Sequence, residues 1–282
     1  MDPLALALFD NPVWNALTTG NKTLASGNDL VKFFPAEVGP FVGLKTIDEA
    51  CFNALFELTP AHRVIAIVRR EKIQIPDQWK IILNTPLYQM IAPEPLHDSR
   101  ATATHELRQG FVPRPSSSVP FASLRYPSSI GRSRGLSPAL PGPSAAEGLP
   151  RAMPEILPLH QEHIPQMLSL TKLTNPGPFY NRTIELGNYH GIFDGDQLIA
   201  MAGQRMHIGN CIEVSAVCTH PDHLGHGYAT ALILHVANLI REQGAIPFLH
   251  VKTDNAAIKL YKALGFFIHQ EVTINILQKI TK

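Results

Sequence analysis

One stretch constrains the chain more than any other: Ile212 to Ile240, IEVSAVCTHPDHLGHGYATALILHVANLI. A β-rich run from Ile212 to Thr219 leads into a short loop, His220 to Gly227, with two glycines. An apolar run from Tyr228 to Ile240 follows and reads as a helix. The first turn of a helix leaves its backbone N–H groups without intrahelical partners, and its dipole favours negative charge. Gly225 and Gly227 put no side chain between those donors and an anion. Tyr228, Ala229 and Thr230 would supply the N–H groups. The segment reads as a pyrophosphate cradle at the end of a strand.

Three cradles compete for this pattern. A nucleoside-triphosphate loop needs Lys and then Ser or Thr after its last glycine; here Tyr228 and Ala229 follow Gly227. A dinucleotide fingerprint needs a third small residue in the helix, where Thr230 stands, and an acid about 20 residues on. The next strand, Ile246 to Val251, does reach Asp254. The third is the loop of GNAT-superfamily N-acetyltransferases, with the pattern Q/R-x-x-G-x-G/A. Asp222, Gly225 and Gly227 stand at its marked positions, with an acid at the first and Leu224 where a basic residue is often found.

Downstream, Phe248 to Phe266 reads FLHVKTDNAAIKLYKALGF. A strand ending near Asn, a short helix carrying Leu-Tyr, then Leu-Gly-Phe, resembles the C-terminal half of a GNAT domain. The resemblance runs from about Met153 to the C-terminus. Asn255 and Tyr261 are six positions apart, where many members have seven.

The resemblance implies an α/β (α+β) domain over residues 153–282: a mixed, mostly antiparallel sheet with helices on both faces. It implies acetyl-CoA as cosubstrate and an amine acceptor, most simply a small molecule. Val217, Cys218 and Thr219 would bind the pantetheine arm through their backbone, as if it were one more strand. His223, Leu224, Gly225, His226 and Gly227, with Tyr228, Ala229 and Thr230, would hold the pyrophosphate, and Asn255 would add a contact. Tyr261 would act as general acid toward the departing thiolate, since a phenol with an ordinary pKa near 10 is protonated at neutral pH. Phe179, Tyr180, Tyr189 and the N-terminal region would shape the acceptor pocket. A CoA-binding lobe without catalysis is one alternative, and a dinucleotide-binding oxidoreductase is another.

Glu213 lies near the start of the motif strand, and alternation places it on one face with Ser215 and Val217. It is either an exposed strand residue or a base for the attacking amine, which in a half-buried cleft would have a raised pKa. Cys218 is disfavoured as a nucleophile, because direct transfer needs none. His220, His223 and His226 recur at three-residue spacing, but Pro221 and Gly225 make the segment a loop. Histidines beside a phosphate fit better than a metal site, and no metal is expected.

A length of 282 residues suggests two domains. A net charge of +1 leaves no basic footprint for nucleic acid. Cys51, Cys211 and Cys218 lie in or beside apolar runs without metal-type pairing, which fits a reduced, cytoplasmic protein. Leu4 to Phe9 follows Asp2 with no basic residue, so no signal peptide is expected, and no run is long enough to span a membrane.

Residues 1–95 read as a smaller α/β lobe of unassigned role. Thr46 to Leu58 has a helical apolar face with Thr46 as cap and Glu49 three residues on. Arg63 to Arg69, Trp79 to Leu83 and Leu87 to Ile91 read as strands, and Trp14, Phe33, Phe34 and Trp79 as core. Residues 96–152 differ in kind: Pro113 to Pro150 holds eight prolines, nine serines and one acid. We read a disordered Pro/Ser-rich linker, with a misread gene insert as the alternative. In the second domain His160 to Leu173 reads as a helix, Phe179 to Leu186 as a shorter one, and Tyr189 to Phe193 and Leu198 to Ile208 as a hairpin about Asp194-Gly195-Asp196. Phe266 to Leu277 reads as a closing pair of strands.

Overall fold

The computed structural model describes residues 6–97 and 155–280, so the expected linker, residues 96–152, lies almost wholly outside the described residues. In chain order the elements are α1 (Pro12–Thr18), β1 (Ser26–Gly27), β2 (Val31–Phe33), β3 (Val42–Leu44), α2 (Glu49–Leu58), β4 (Val64–Arg69) and β5 (Trp79–Ile91). Then come β6 (Leu157–Pro158), α3 (Ile164–Thr174), β7 (His190–Asp194), β8 (Gln197–Ile208), β9 (Cys211–Thr219), α4 (Tyr228–Glu242), β10 (Ile246–Lys252), α5 (Ile258–Leu264) and β11 (Phe267–Lys279).

Eight strands form one sheet in the order β4-β11-β5-β10-β9-β8-β7-β6. Every neighbouring pair is antiparallel except β9 and β10. The mostly antiparallel mixed sheet is the expected one, but its membership reaches across residue 95. β4 and β5 pair with β11, so the N-terminal stretch supplies two strands of the same sheet. β11 is a single 13-residue strand, not the expected closing pair, because both its partners come from that stretch. β5 runs unbroken through Pro86. β10 pairs with it only from Leu87 onward, so the proline stands where one side of the strand is left without a ladder.

Helices cover both faces. α4 buries Leu232, Ile233, Val236 and Ile240 against Ile212 and Val214 of β9 and Leu249 and Val251 of β10, at the i, i+1, i+4, i+8 spacing of one helical face. On the other face Phe9, Val13 and Leu17 pack on Met206, Cys211 and Phe248. Phe9 meets Phe248 edge-on with ring centroids 4.9 Å apart. Phe33, Phe34 and Trp79 are core, as expected, while Trp14 is half-buried. α2 is capped by Asp48, whose Oδ1 accepts from Cys51 N–H, while Thr46 donates to Asp48 instead of capping itself. Only Thr183–Leu186 of the expected second helix is helical, as a 3-10 turn. Among the described residues no helix is long and apolar enough to cross a membrane.

Candidate active site

The site is built where the one parallel pair comes apart. β10 runs beside β9 for three residues, from Ile246–Cys211 to Phe248–Glu213, and then turns to β5. From Val214 to Thr219, β9 pairs with β8 alone, and Ser215, Ala216 and Val217 are half-buried where the preceding residues are buried. One edge of the strand is thus left to offer backbone hydrogen bonds.

Two irregularities shape that edge. Gly203 pairs with Ser215 and Met201 with Cys218, so β9 carries one residue more than β8 between them. Ala216 has φ +52°, sparsely populated for a residue with a side chain. The bulge breaks the expected alternation: Val217 packs in the α4 cluster, while Ala216 and Cys218 pack in the α3 cluster. A second bulge, on β8 at Arg205 and Met206, lies opposite Glu213.

Glu213 is fully buried and saturated. Arg205 donates to it from Nε at 2.8 Å and from Nη2 at 2.5 Å. Met206 N–H reaches it at 3.3 Å and His250 Nδ1 at 2.8 Å. Gln89 Nε2 faces His250 Nε2 at 3.0 Å, which leaves the imidazole proton on Nδ1, pointing at Glu213. Burial alone would raise the Glu213 carboxyl, but Arg205 and His250 outweigh it and hold the group well below the usual carboxylate range. The raised value expected for a base is therefore absent. Neither Arg205 nor His250 stands out in the sequence as Glu213's partner, because one is eight and the other 37 positions away.

Beyond β9 the loop enters α4 through Gly225 (φ +81°) and Gly227 (φ +82°). A side chain at either would meet no atom within 4 Å, so the cradle is open. The first intrahelical bond is Ala231 N–H to Gly227 O at 3.0 Å, which places Tyr228 and Ala229 N–H ahead of the helix's own ladder. The N-cap residue, Gly227, has no side chain to cap this end. Thr219 Oγ1, at the mouth of the loop, is buried without a hydrogen-bond partner among the described residues. These groups fit an anionic ligand. His226 stacks on Tyr228, and Leu224 is 64% exposed.

Tyr261 lies on α5, half-buried, packed on the same apolar cluster as Val217. Burial raises its phenol to about 12. Asn255 is exposed, and its Oδ1 accepts from Ala257 N–H at the entry to α5, so half of its amide serves the turn. Burial pushes the Cys218 thiol up to about 11, and the three cysteines are free and buried. Among the described residues no cluster of three or more His, Cys, Asp or Glu is placed to hold a metal ion.

Residues 189–274 match the family model of FR47-like proteins. A crystal structure from Novosphingobium aromaticivorans, of a protein assigned to the GNAT family of acetyltransferases, is similar with a TM-score of 0.72 and 29% identity. That match covers 97% of this chain and 99% of that one. A GCN5-related N-acetyltransferase from Kribbella flavida shares the fold, with a TM-score of 0.52, 12% identity and 96% of each chain covered. A GCN5-related N-acetyltransferase-like protein from Streptococcus suis does so with a TM-score of 0.52, 13% identity, and 97% and 96% covered. Comparison with curated proteins returns no match.

Proposed function

The chain carries a domain of the GNAT superfamily of acetyltransferases, and on that premise we propose that it transfers an acetyl group from acetyl-CoA to the nitrogen of an amine by direct attack. The observation that carries this reading is the parting of β9 from β10 immediately before a loop whose two left-handed glycines open an uncapped helix. A free strand edge suits the amide-bearing arm of the cosubstrate. The helix N-terminus suits its pyrophosphate. On this reading the thioester would lie beside the bulge, next to the point where β9 and β10 stop pairing.

The residues then divide the work. Tyr228 and Ala229 N–H, with Thr219 Oγ1, hold the phosphates. Backbone N–H groups along Ser215 to Thr219 align the arm, and one of them faces the carbonyl oxygen as negative charge develops there. The amine nitrogen forms a bond to the carbonyl carbon, the carbon–sulfur bond breaks, and Tyr261 gives its proton to the sulfur. Its raised pKa keeps that proton available across the neutral range. Glu213 is already saturated with donors, so the amine loses its proton to water, and Glu213 instead holds Arg205 and His250 in place. A reduced, cytoplasmic setting suits three free thiols.

The test is thiol release from acetyl-CoA with a panel of primary amines, alongside melting curves with acetyl-CoA and with NAD(P)H. Amine-dependent thiol release and a rise in melting temperature with acetyl-CoA alone are expected. A rise with the dinucleotide and none with acetyl-CoA would make the cradle that of an oxidoreductase.

A further inference from the structure

Beside the β9 bulge lies a narrow crevice, closed to water in this structure, lined by Gly177, Phe179, Tyr189, Arg205, Ser215 and Ala216. Two of its polar groups lack partners. Tyr189 is 2% exposed, yet its hydroxyl is buried without a hydrogen bond among the described residues. The ring is held there firmly. It lies on Gly203, where a Cβ would come within 2.3 Å of it, and meets Phe179 edge-on with centroids 5.5 Å apart. A buried hydroxyl with no partner is costly to keep, and burial raises this phenol so that it stays a proton donor.

Arg205 is the second group. Its Nε and Nη2 are spent on Glu213, and its plane lies over Phe41 with Cζ 5.0 Å from the ring centre. Nη1 makes no hydrogen bond among the described residues. A Cβ at Gly177 would approach it to 4.0 Å, so Nη1 looks toward the cleft past a residue with no side chain.

The charge of this corner decides what it accepts. Arg205 is neutralised by Glu213, and all of Glu213's oxygens are already engaged by Arg205, Met206 N–H and His250. The cleft therefore offers hydrogen-bond donors and no free carboxylate. A second ammonium on the acceptor finds nothing to bind here, while an oxygen acceptor finds two donors. We propose that the acceptor is an amine bearing a carbonyl or carboxylate oxygen close to its nitrogen, of the amino-acid or amino-amide class, with that oxygen held by Tyr189 Oη and Arg205 Nη1. This rests on the N-acetyltransfer reading above.

The experiment compares acceptors matched in all but that oxygen: alanine, alaninamide and isopropylamine, then phenylalanine, phenylalaninamide and phenethylamine. Spermidine represents amines with a second positive charge. With the intact protein and acetyl-CoA, the oxygen-bearing member of a set is expected to exceed its oxygen-free partner at least about tenfold in kcat/KM, one lost hydrogen bond's worth. The favoured member within a set tells carboxylate from amide. Tyr189→Phe is expected to raise KM for that member about tenfold, leave acetyl-CoA affinity unchanged, and raise the melting temperature, since it deletes an unpartnered buried hydroxyl. Equal or better activity on the oxygen-free amines or on spermidine overturns the proposal. So does acetyl-CoA binding with no transfer to any oxygen-bearing amine, and so does an unaltered KM in Tyr189→Phe. Failure of acetyl-CoA itself to bind would overturn the underlying reading instead.

Discussion

Glu213 on β9 and His250 on β10 meet at 2.8 Å just where their two parallel strands stop pairing. The contact ties the strands together on one side of the split, and Arg205 on β8 ties Glu213 to the strand beyond. From His250 the chain of contacts continues through Gln89 to Gln270 and Asp10, so five strands and the N-terminal segment share one polar network. Two side-chain amides interrupt it as a path for protons. Its role is to fix the geometry of the fork.

Glu213→Gln should therefore unfold more easily. It leaves the Arg205 guanidinium, 12% exposed, without its countercharge, and breaking a buried pair from one side costs about 3–5 kcal/mol. Because the folded carboxyl is held below its unfolded value, its contribution is complete above about pH 4.3 and is lost as pH falls through the lower folded value. Urea titrations should show a wide gap between parent and variant at neutral pH that narrows in strong acid. A variant of parental stability that lost its activity and the acidic limb of its rate profile would restore Glu213 as the base.

Tyr261→Phe should separate chemistry from binding. The ring keeps its place among Val251, Leu264 and Phe266, so folding and acetyl-CoA affinity should hardly change. Loss of the proton donor should lower kcat about 10²-fold, the low end for general acid catalysis, and kcat/KM with it. With the phenol raised to about 12, the parent rate should show no alkaline fall from this group below about pH 10. Steady-state rates across that range check both points. An unchanged kcat would leave Tyr261 as a packing residue and the proton to water.

A fragment holding residues 154–282 alone should not fold as a stable monomer. It would lack β4 and β5, which between them pair with 12 of the 13 residues of β11, and would expose Phe248 where Phe9 now covers it. Exposing that much apolar sheet costs several kcal/mol, at about 25 cal/mol per Å². Circular dichroism and sedimentation of the fragment test this. A soluble, cooperatively melting fragment would show that residues 1–97 are dispensable to the sheet.

What the sequence discloses here is local. The strand–loop–helix turn reads directly because strand, glycines and helix are adjacent in the chain, and the φ of Gly225 and Gly227 is what those residues permit at little cost. α3 likewise starts where Pro165 is tolerated and stops at Asn175 in the left-handed region. What stays hidden depends on distant pairing. Period-2 alternation cannot anticipate the bulge at Ala216, because one extra residue reverses every face beyond it. Glu213 reads as exposed or reactive until Arg205 and His250 are seen closing on it. The strands of residues 1–95 read as a separate lobe because nothing local to Val64 or Trp79 says that their partner is β11, some 200 residues on.

The most direct measurement of the central claim, that the loop before α4 is an acetyl-CoA cradle, is a calorimetric titration of acetyl-CoA into the parent and into Gly227→Val. Gly227 sits at φ +82° with open space about it. The substitution both strains the turn and puts a branched side chain into the open space that the pyrophosphate would take. The account predicts saturable binding to the parent and a loss of at least about tenfold in the variant, the equivalent of about 1.4 kcal/mol, with the cooperative thermal transition retained. Equal affinity in the two proteins would contradict it.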